Sequence, residues 1–293
     1  MTQKNRSLLK LLLALLAWSS SYAITRSVVA TMPPILFAFL RFAVAILALL
    51  IISYTRKTPV QETMKDKWAS ILTLSLTGVT LYYVFFNFSL QQTSAAAGAL
   101  IQGFIPISTA ILAAIFLKER LKPWQIVGIF ISVTGVVLIG FTGQASASGN
   151  NTIMGNLLMI AAVLCWAIYT VVSKKLASTD PIWLITRLSI IGTILLIPAV
   201  IYEMKDQSWP AISWQAWAAI LYMGIFPSAL GYIWFNSALQ HISATQAGVF
   251  INMDPVVGAL IAVAFLGEQL HIWQITGAAL TLAGVWLYMF RNR

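Results

Sequence analysis

The chain has 293 residues, of which 59% are hydrophobic and 9% charged, and it carries a net charge of +10. Soluble domains hold about 25% charged residues, so this composition cannot cover a water-facing surface, and it equally excludes a disordered chain, a coiled coil and a disulfide scaffold. One cysteine, Cys165, leaves no intrachain disulfide and no cysteine-built metal site.

Charge position explains charge sign. No Asp, Glu, Lys or Arg occurs from Trp68 to Leu117, from Pro123 to Ser173 or from Gln207 to Met253. Each gap is long enough for two spans of ~20 apolar residues and a hinge. Ten spans are predicted, at 8–29, 34–53, 68–88, 94–117, 122–141, 153–174, 181–201, 215–238, 243–266 and 271–290. The runs are long and do not alternate, which favours helices over barrel strands. With the N-terminus inside, fourteen basic residues fall on inner segments and two, Arg26 and Lys205, on outer ones. That bias predicts an inner-membrane protein with both termini cytoplasmic and anionic lipid as a partner. It removes nucleic acid as the reason for the charge.

In span 1, Lys4, Arg6 and Lys10, then 11–17, then Ser21-Tyr22-Ala23, have the form of a secretory signal. The apolar stretch resumes past Ala23 and has a counterpart in mid-chain, so a retained span is expected. Trp18 and Tyr22, four apart, share a face at its centre. Span 2 holds Arg41 about 10 Å deep at 1.5 Å per residue. Its side chain can snorkel to a headgroup, or it can serve gating or anionic cargo. Span 3 carries Thr77-Gly78 and Tyr82 centrally and Asn87 near its end; span 4 carries Gln102 and a helix-breaking Pro106. Span 5 carries Gly128 and Gly135, suited to close helix contact. A polar stretch, 142–152, separates a first unit, 1–141, from a second, 153–293. Span 6 places Trp166 and Tyr169 on one face, span 7 has Arg187, and span 8 has Pro227 and Asn236. Span 9 holds Asn252, Asp254 and Pro255, and Asp254 is the one acid well inside a span. A carboxylate there is protonated, paired or solvated in a cavity, serving cargo or proton binding or else a structural hydrogen bond. Span 10 repeats the glycine pair as Gly277 and Gly284. The two glycine pairs fit contact between spans 5 and 10 or a homodimer face.

The halves are related. YVFFNFSLQ at Tyr83–Gln91 matches YIWFNSALQ at Tyr232–Gln240, and FLKERLKPWQIVG matches FLGEQLHIWQITG, at one offset of 149 residues. From Tyr83 to Gly140, 21 of 58 positions are identical. Trp18 pairs with Trp166 at offset 148 and Arg41 with Arg187 at 146. Five spans is an odd number, so the second unit enters from the opposite side. The expected fold is an all-α integral membrane protein of ten helices in two inverted five-helix repeats, the architecture of secondary transporters.

These motifs resemble the drug/metabolite transporter superfamily, specifically its ten-helix EamA-type members. The resemblance rests on AWSSSYAITR around Trp18, FLRF at 39–42, FNFSLQQTSAAAGALI, KERL at 118–121 with Trp124 and Gly128, GNLLMIAAVLCWAIYT at 155–170, and NMDPVVGALIAVAFLGEQL at 252–270. One departure is Ser19, where the family often has Gly. The resemblance implies export of small organic metabolites through a pathway lined by spans 1, 3, 4, 6, 8 and 9.

The residues themselves place a pathway at the paired central features. Trp18, Tyr22, Tyr82, Trp166 and Tyr169 form either an aromatic cage for a planar or cationic molecule or a packing cluster. Gln102, Asn252 and Asp254 are its polar candidates, Pro106, Pro227 and Pro255 its kinks. Asn87 and Asn236 are expected to cap their hairpins, with gating as the alternative. The expected function is a secondary transporter working by alternating access, one repeat against the other, with a small organic substrate and protons as a candidate partner. The alternative is a passive channel or facilitator. No cofactor or metal is expected, GxxxxGK[ST] is absent, and clustered catalytic groups are lacking, so an enzyme is not expected.

Overall fold

The computed structural model describes residues 3–56, 63–92, 98, 101–142, 153–205, 212–254, 256–257 and 272–290. These contain helices and no strand. Pro34–Thr55, Lys65–Gln92, Ile153–Lys175, Pro181–Glu203 and Trp214–Leu239 are each long and apolar enough to cross a membrane, and shorter apolar helices lie in spans 4, 5 and 10. Leu47, Ile51, Ile115, Phe130, Leu157, Ile194 and Trp286 stand exposed along the outer faces. Such a surface is stable against hydrocarbon, not water. Tyr54, Trp68, Tyr202, Trp214 and Trp273, exposed near span ends, occupy interfacial positions.

Hydrogen bonds between span ends join only segments assigned to the same side. Arg56 pairs with Asp180 at 2.7 Å, Lys67 with Thr179, and Lys174 with the Leu239 carbonyl, all on the inner side. On the other side the Ile35 and Leu36 N–H groups donate to Glu203, and Ser89 donates to the Gly155 carbonyl. Several of these are charges at helix starts, where unpaired N–H groups favour a carboxylate. Glu119 takes the Ala244 and Thr245 N–H groups of span 9 in the same way. Burial acts to raise the Asp180 carboxyl, but Arg56 and the Trp183 N–H outweigh it and hold that carboxyl below the usual carboxylate range.

The strongest packing is between repeats, not within them. Spans 5 and 10 make the most extensive contact, followed by span 3 on span 6 and span 2 on span 7. The glycines explain the first. A Cβ on Gly128 would lie 2.8 Å from the Gly284 carbonyl oxygen, and one on Gly135 would lie 2.5 Å from that of Gly277. The backbones touch, so these faces are occupied inside the chain and offer no dimer surface. The two repeats thus interlock through three helix pairs.

Backbone irregularities follow the repeat. Leu76–Thr80 in span 3 and Gly224–Gly231 in span 8 are π-helical, and they overlap at the 149-residue offset. The wider turn frees carbonyls. The Gly78 carbonyl accepts from the Tyr232 hydroxyl at 2.6 Å, and its repeat mate, the Pro227 carbonyl, accepts from Trp18 Nε1 at 3.0 Å. Spans 4 and 9 break into turns at 103–104 and 252–253, again repeat mates. Mates meet near the pseudo-two-fold axis: the Tyr83 and Tyr232 hydroxyls are 3.4 Å apart, and the Trp18 and Trp166 rings stand edge to face at 5.2 Å.

Candidate functional site

A narrow central cavity of about 50 Å³ lies between the repeats. It is lined by Trp18 and Ser21 of span 1, Arg41 of span 2, Tyr82, Tyr83 and Phe86 of span 3, Gln102 and Ile105 of span 4, Trp166 of span 6, and Ile251 and Asp254 of span 9. Seven of the eleven, Ser21, Arg41, Tyr82, Tyr83, Phe86, Gln102 and Ile105, lie in the halves of their spans nearer the side assigned as outer. The cavity is therefore displaced from the pseudo-axis toward that side.

Its wall is aromatic. Tyr82 stacks on Phe86 at 5.6 Å and tilts against Trp166 at 5.3 Å, and Trp166 meets Trp18. Trp18 is fixed by its bond to Pro227, whereas Trp166 Nε1 is buried without a partner. Tyr169 stacks behind Trp166, fully buried, with its hydroxyl accepting from Asn236 at 2.6 Å. It supports the wall and does not line it. The Tyr22 side chain and Pro255 lie outside the described residues.

Three polar groups enter this wall. Gln102 Nε2 reaches the Tyr82 hydroxyl at 3.5 Å and Met159 Sδ at 3.4 Å. Asp254 accepts a hydrogen bond from Ser19. The repeat mates of Ser19 and Asp254 are Ala167 and Ile105, both buried and apolar. The polar contact therefore has an apolar counterpart across the axis. Arg41 is 1% exposed; its Nε donates to Ser228 at 3.0 Å, and its guanidinium lies 4.5 Å over the Tyr83 ring. It does not snorkel. It sits on the packed stripe with Phe37, Ala38, Phe42 and Ala45, while Arg187 sits on the exposed stripe with Ile194 and Ile201. The two arginines have separate environments despite matching positions.

Other expected residues are placed elsewhere. Asn252 donates to Ser132 of span 5 at 3.1 Å and does not reach the cavity. Asn87 donates to the Pro34 carbonyl of span 2 at 2.9 Å; the turn it is expected to cap, 93–97, lies outside the described residues. Asn236 sits four residues beyond Tyr232, still within helix, and its bonds are to that helix and to Tyr169 of span 6. Pro106 opens the described helix of span 4, and Pro227 lies within the π-helical turn. Span 8 contributes no lining residue, because the mate of Tyr82 is Gly231, and Trp18 packs directly over it. Tyr83, Phe86 and Ser19 were not singled out from the sequence as site residues; Arg41 was, as a lipid anchor or a group for gating or anionic cargo. The Tyr83–Phe86 motif and the Ser19 departure were the available signals.

The sequence model of the EamA-like transporter family matches residues 5–141 and 153–290. The "uncharacterized transporter YyaM" of Bacillus subtilis is 32% identical over 84% of this chain and 81% of its own. A "probable amino-acid metabolite efflux pump" of Salmonella typhimurium is 26% identical over 96% of this chain and 94% of its own. A solved crystal structure superposes with a TM-score of 0.80 at 20% identity, covering 99% of both chains, which shows a common fold. With one family unit matched in each half, the chain belongs to the EamA-like transporter family and is an integral membrane transporter, not an enzyme.

Proposed function

We propose that the protein is a secondary transporter of the inner membrane, both termini cytoplasmic, that exports small organic metabolites, amino acids or related compounds and drug-like cations among them, by alternating access. The observation that carries this reading is the cavity between the repeats. It is walled by Trp18, Trp166 and Tyr82 and holds the buried Asp254. The relative named as an amino-acid metabolite efflux pump supports the cargo class. Tyr169, Tyr232 and Phe235 pack against Trp166. Asp254 is proposed to carry a proton inward: when it is protonated, the Ser19 hydroxyl loses its carboxylate acceptor, and that latch between spans 1 and 9 weakens.

Counterflow in proteoliposomes tests this, using a labelled panel of amino acids and organic cations with and without a pH gradient. Saturable exchange that is lost in Trp166→Ala is expected. Concentrative movement that needs the gradient, and fails in Asp254→Asn, is expected for coupling. Non-saturable flux would instead establish a passive channel.

A further inference from the structure

We infer that the cavity is built for a zwitterion, with Arg41 taking the negative group and Asp254 the positive one. This deepens the transport reading of the cavity and rests on it.

Arg41 and Asp254 line the same cavity from spans 2 and 9, and both are more than nine-tenths buried. They do not pair with each other. Arg41 holds Ser228 and Tyr83, Asp254 holds Ser19, and among the described residues no carboxylate answers Arg41 and no cation answers Asp254. Buried charges persist when they are paired or solvated. Here the protein has fixed both in place with neutral hydroxyls and left their countercharges to whatever fills the space between. Arg41 is oriented, not loose: Ser228 fixes Nε, and the Tyr83 face supports the guanidinium plane. The remaining donors suit the paired geometry of a carboxylate.

The choice among charge types follows from electroneutrality. A cation satisfies Asp254 but meets the like charge of Arg41 in the same space. An anion does the reverse. An occupant with separated ammonium and carboxylate groups answers both, and Trp18, Trp166, Tyr82 and Phe86 receive its apolar body. The assignment is also one-sided in the repeat. The mate of Asp254 is Ile105, and the mate of Arg41, Arg187, is exposed elsewhere. The cavity thus holds one positive and one negative site, not a symmetric pair.

Three compounds of equal apolar body discriminate: L-leucine, isopentylamine, which lacks the carboxylate, and 4-methylpentanoate, which lacks the ammonium. Binding to detergent-purified protein is followed by intrinsic tryptophan fluorescence, since Trp18 and Trp166 line the site, and is repeated as competition in counterflow. L-leucine is expected to bind at least about tenfold tighter than either analogue, the typical value of one charged hydrogen bond. In Arg41→Gln the preference over isopentylamine is expected to vanish, with that over 4-methylpentanoate kept; Asp254→Asn reverses the pattern. The wild-type series alone decides the matter if either variant fails to fold. Isopentylamine binding as tightly as L-leucine, and lost in Trp166→Ala, overturns the zwitterion assignment and leaves the transport site standing. 4-Methylpentanoate binding as tightly overturns it by showing a neutral Asp254. Binding of none of the three overturns the zwitterion assignment; the wider counterflow panel then shows separately whether the cavity is a transport site.

Discussion

Replacing Gly128 by alanine puts a number on the backbone contact between spans 5 and 10. The added Cβ would lie 2.8 Å from the Gly284 carbonyl oxygen, 3.0 Å from the Tyr288 backbone nitrogen and 3.2 Å from Tyr288 Cβ. Comfortable separations are about 3.5–4.0 Å, so the two helices must part locally by about 0.7 Å. The nearest obstacles are backbone atoms, which have no rotamer to yield. A gap of that size forfeits roughly a quarter to a half of each dispersion contact along the seam. Packing, not water exclusion, drives helix association in lipid. Overpacking costs of about 1–3 kcal/mol are typical, and this site belongs in the upper part of that range. Equilibrium unfolding in mixed micelles measures it, with Ile275→Ala, on the exposed face of span 10, as the control expected within about 0.5 kcal/mol of wild type. Gly284→Ala should cost a similar amount, since its Cβ meets the Gly128 carbonyl at 2.6 Å and Ser132 beside it. Both methyls force the same separation, so the double variant should lose less than the two single losses combined. A Gly128→Ala protein as stable as wild type would refute the argument that these backbones touch.

Two further outcomes follow from the span ends. Lys118 adopts φ of 55°, a left-handed conformation that a side chain resists, and the matching position in the second repeat is Gly267; Lys118→Gly should stabilise the protein by about 1 kcal/mol in the same unfolding assay. Asp180→Asn keeps an N-cap but removes the charge that Arg56 pairs with, at a cost of about 0.2–1 kcal/mol for a partly exposed pair. Because the folded carboxyl is held below its ordinary value of 3.8, that difference should be complete at pH 7 and shrink as pH falls through the lowered value; a gap between wild type and variant that persists unchanged at low pH would count against the pair.

The spans and their sides were legible because membrane insertion writes them as long apolar runs and asymmetric Lys and Arg. The inverted repeat was legible because Asn, Glu, Trp and Pro recur at one offset. Which face of a span turns inward was far less legible. Span 2 is apolar all round, PILFAFLRFAVAILALLIISYT, so no polar stripe reports its orientation, and Arg41 could be read as anchored to lipid. Its small residues, Ala38 and Ala45, mark the packed side. The π-helical turns left little signal beyond Gly78 and Pro227, since a wider turn is a tertiary accommodation. The partner of Asp254 was hidden because Ser19 is 235 residues away in sequence. Asn252 and Asn87 are polar groups that serve neighbouring helices instead of the cavity, and sequence spacing does not separate the two uses.

The Ser19–Asp254 contact has an energetic meaning beyond its place in the cavity. Two identical inverted units would make the two arrangements of the molecule equivalent by the two-fold rotation, and so degenerate, whatever the sequence inside each unit. Only differences between matched positions can split that degeneracy. Ser19 against Ala167 and Asp254 against Ile105 form one such difference, and a hydrogen bond to a charged group is worth about 1.5–3 kcal/mol. A bias of that size corresponds to a population ratio of roughly 10 to 100. In a doubled chain, the resting state is therefore written in matched positions where the copies disagree in polarity, as these two do.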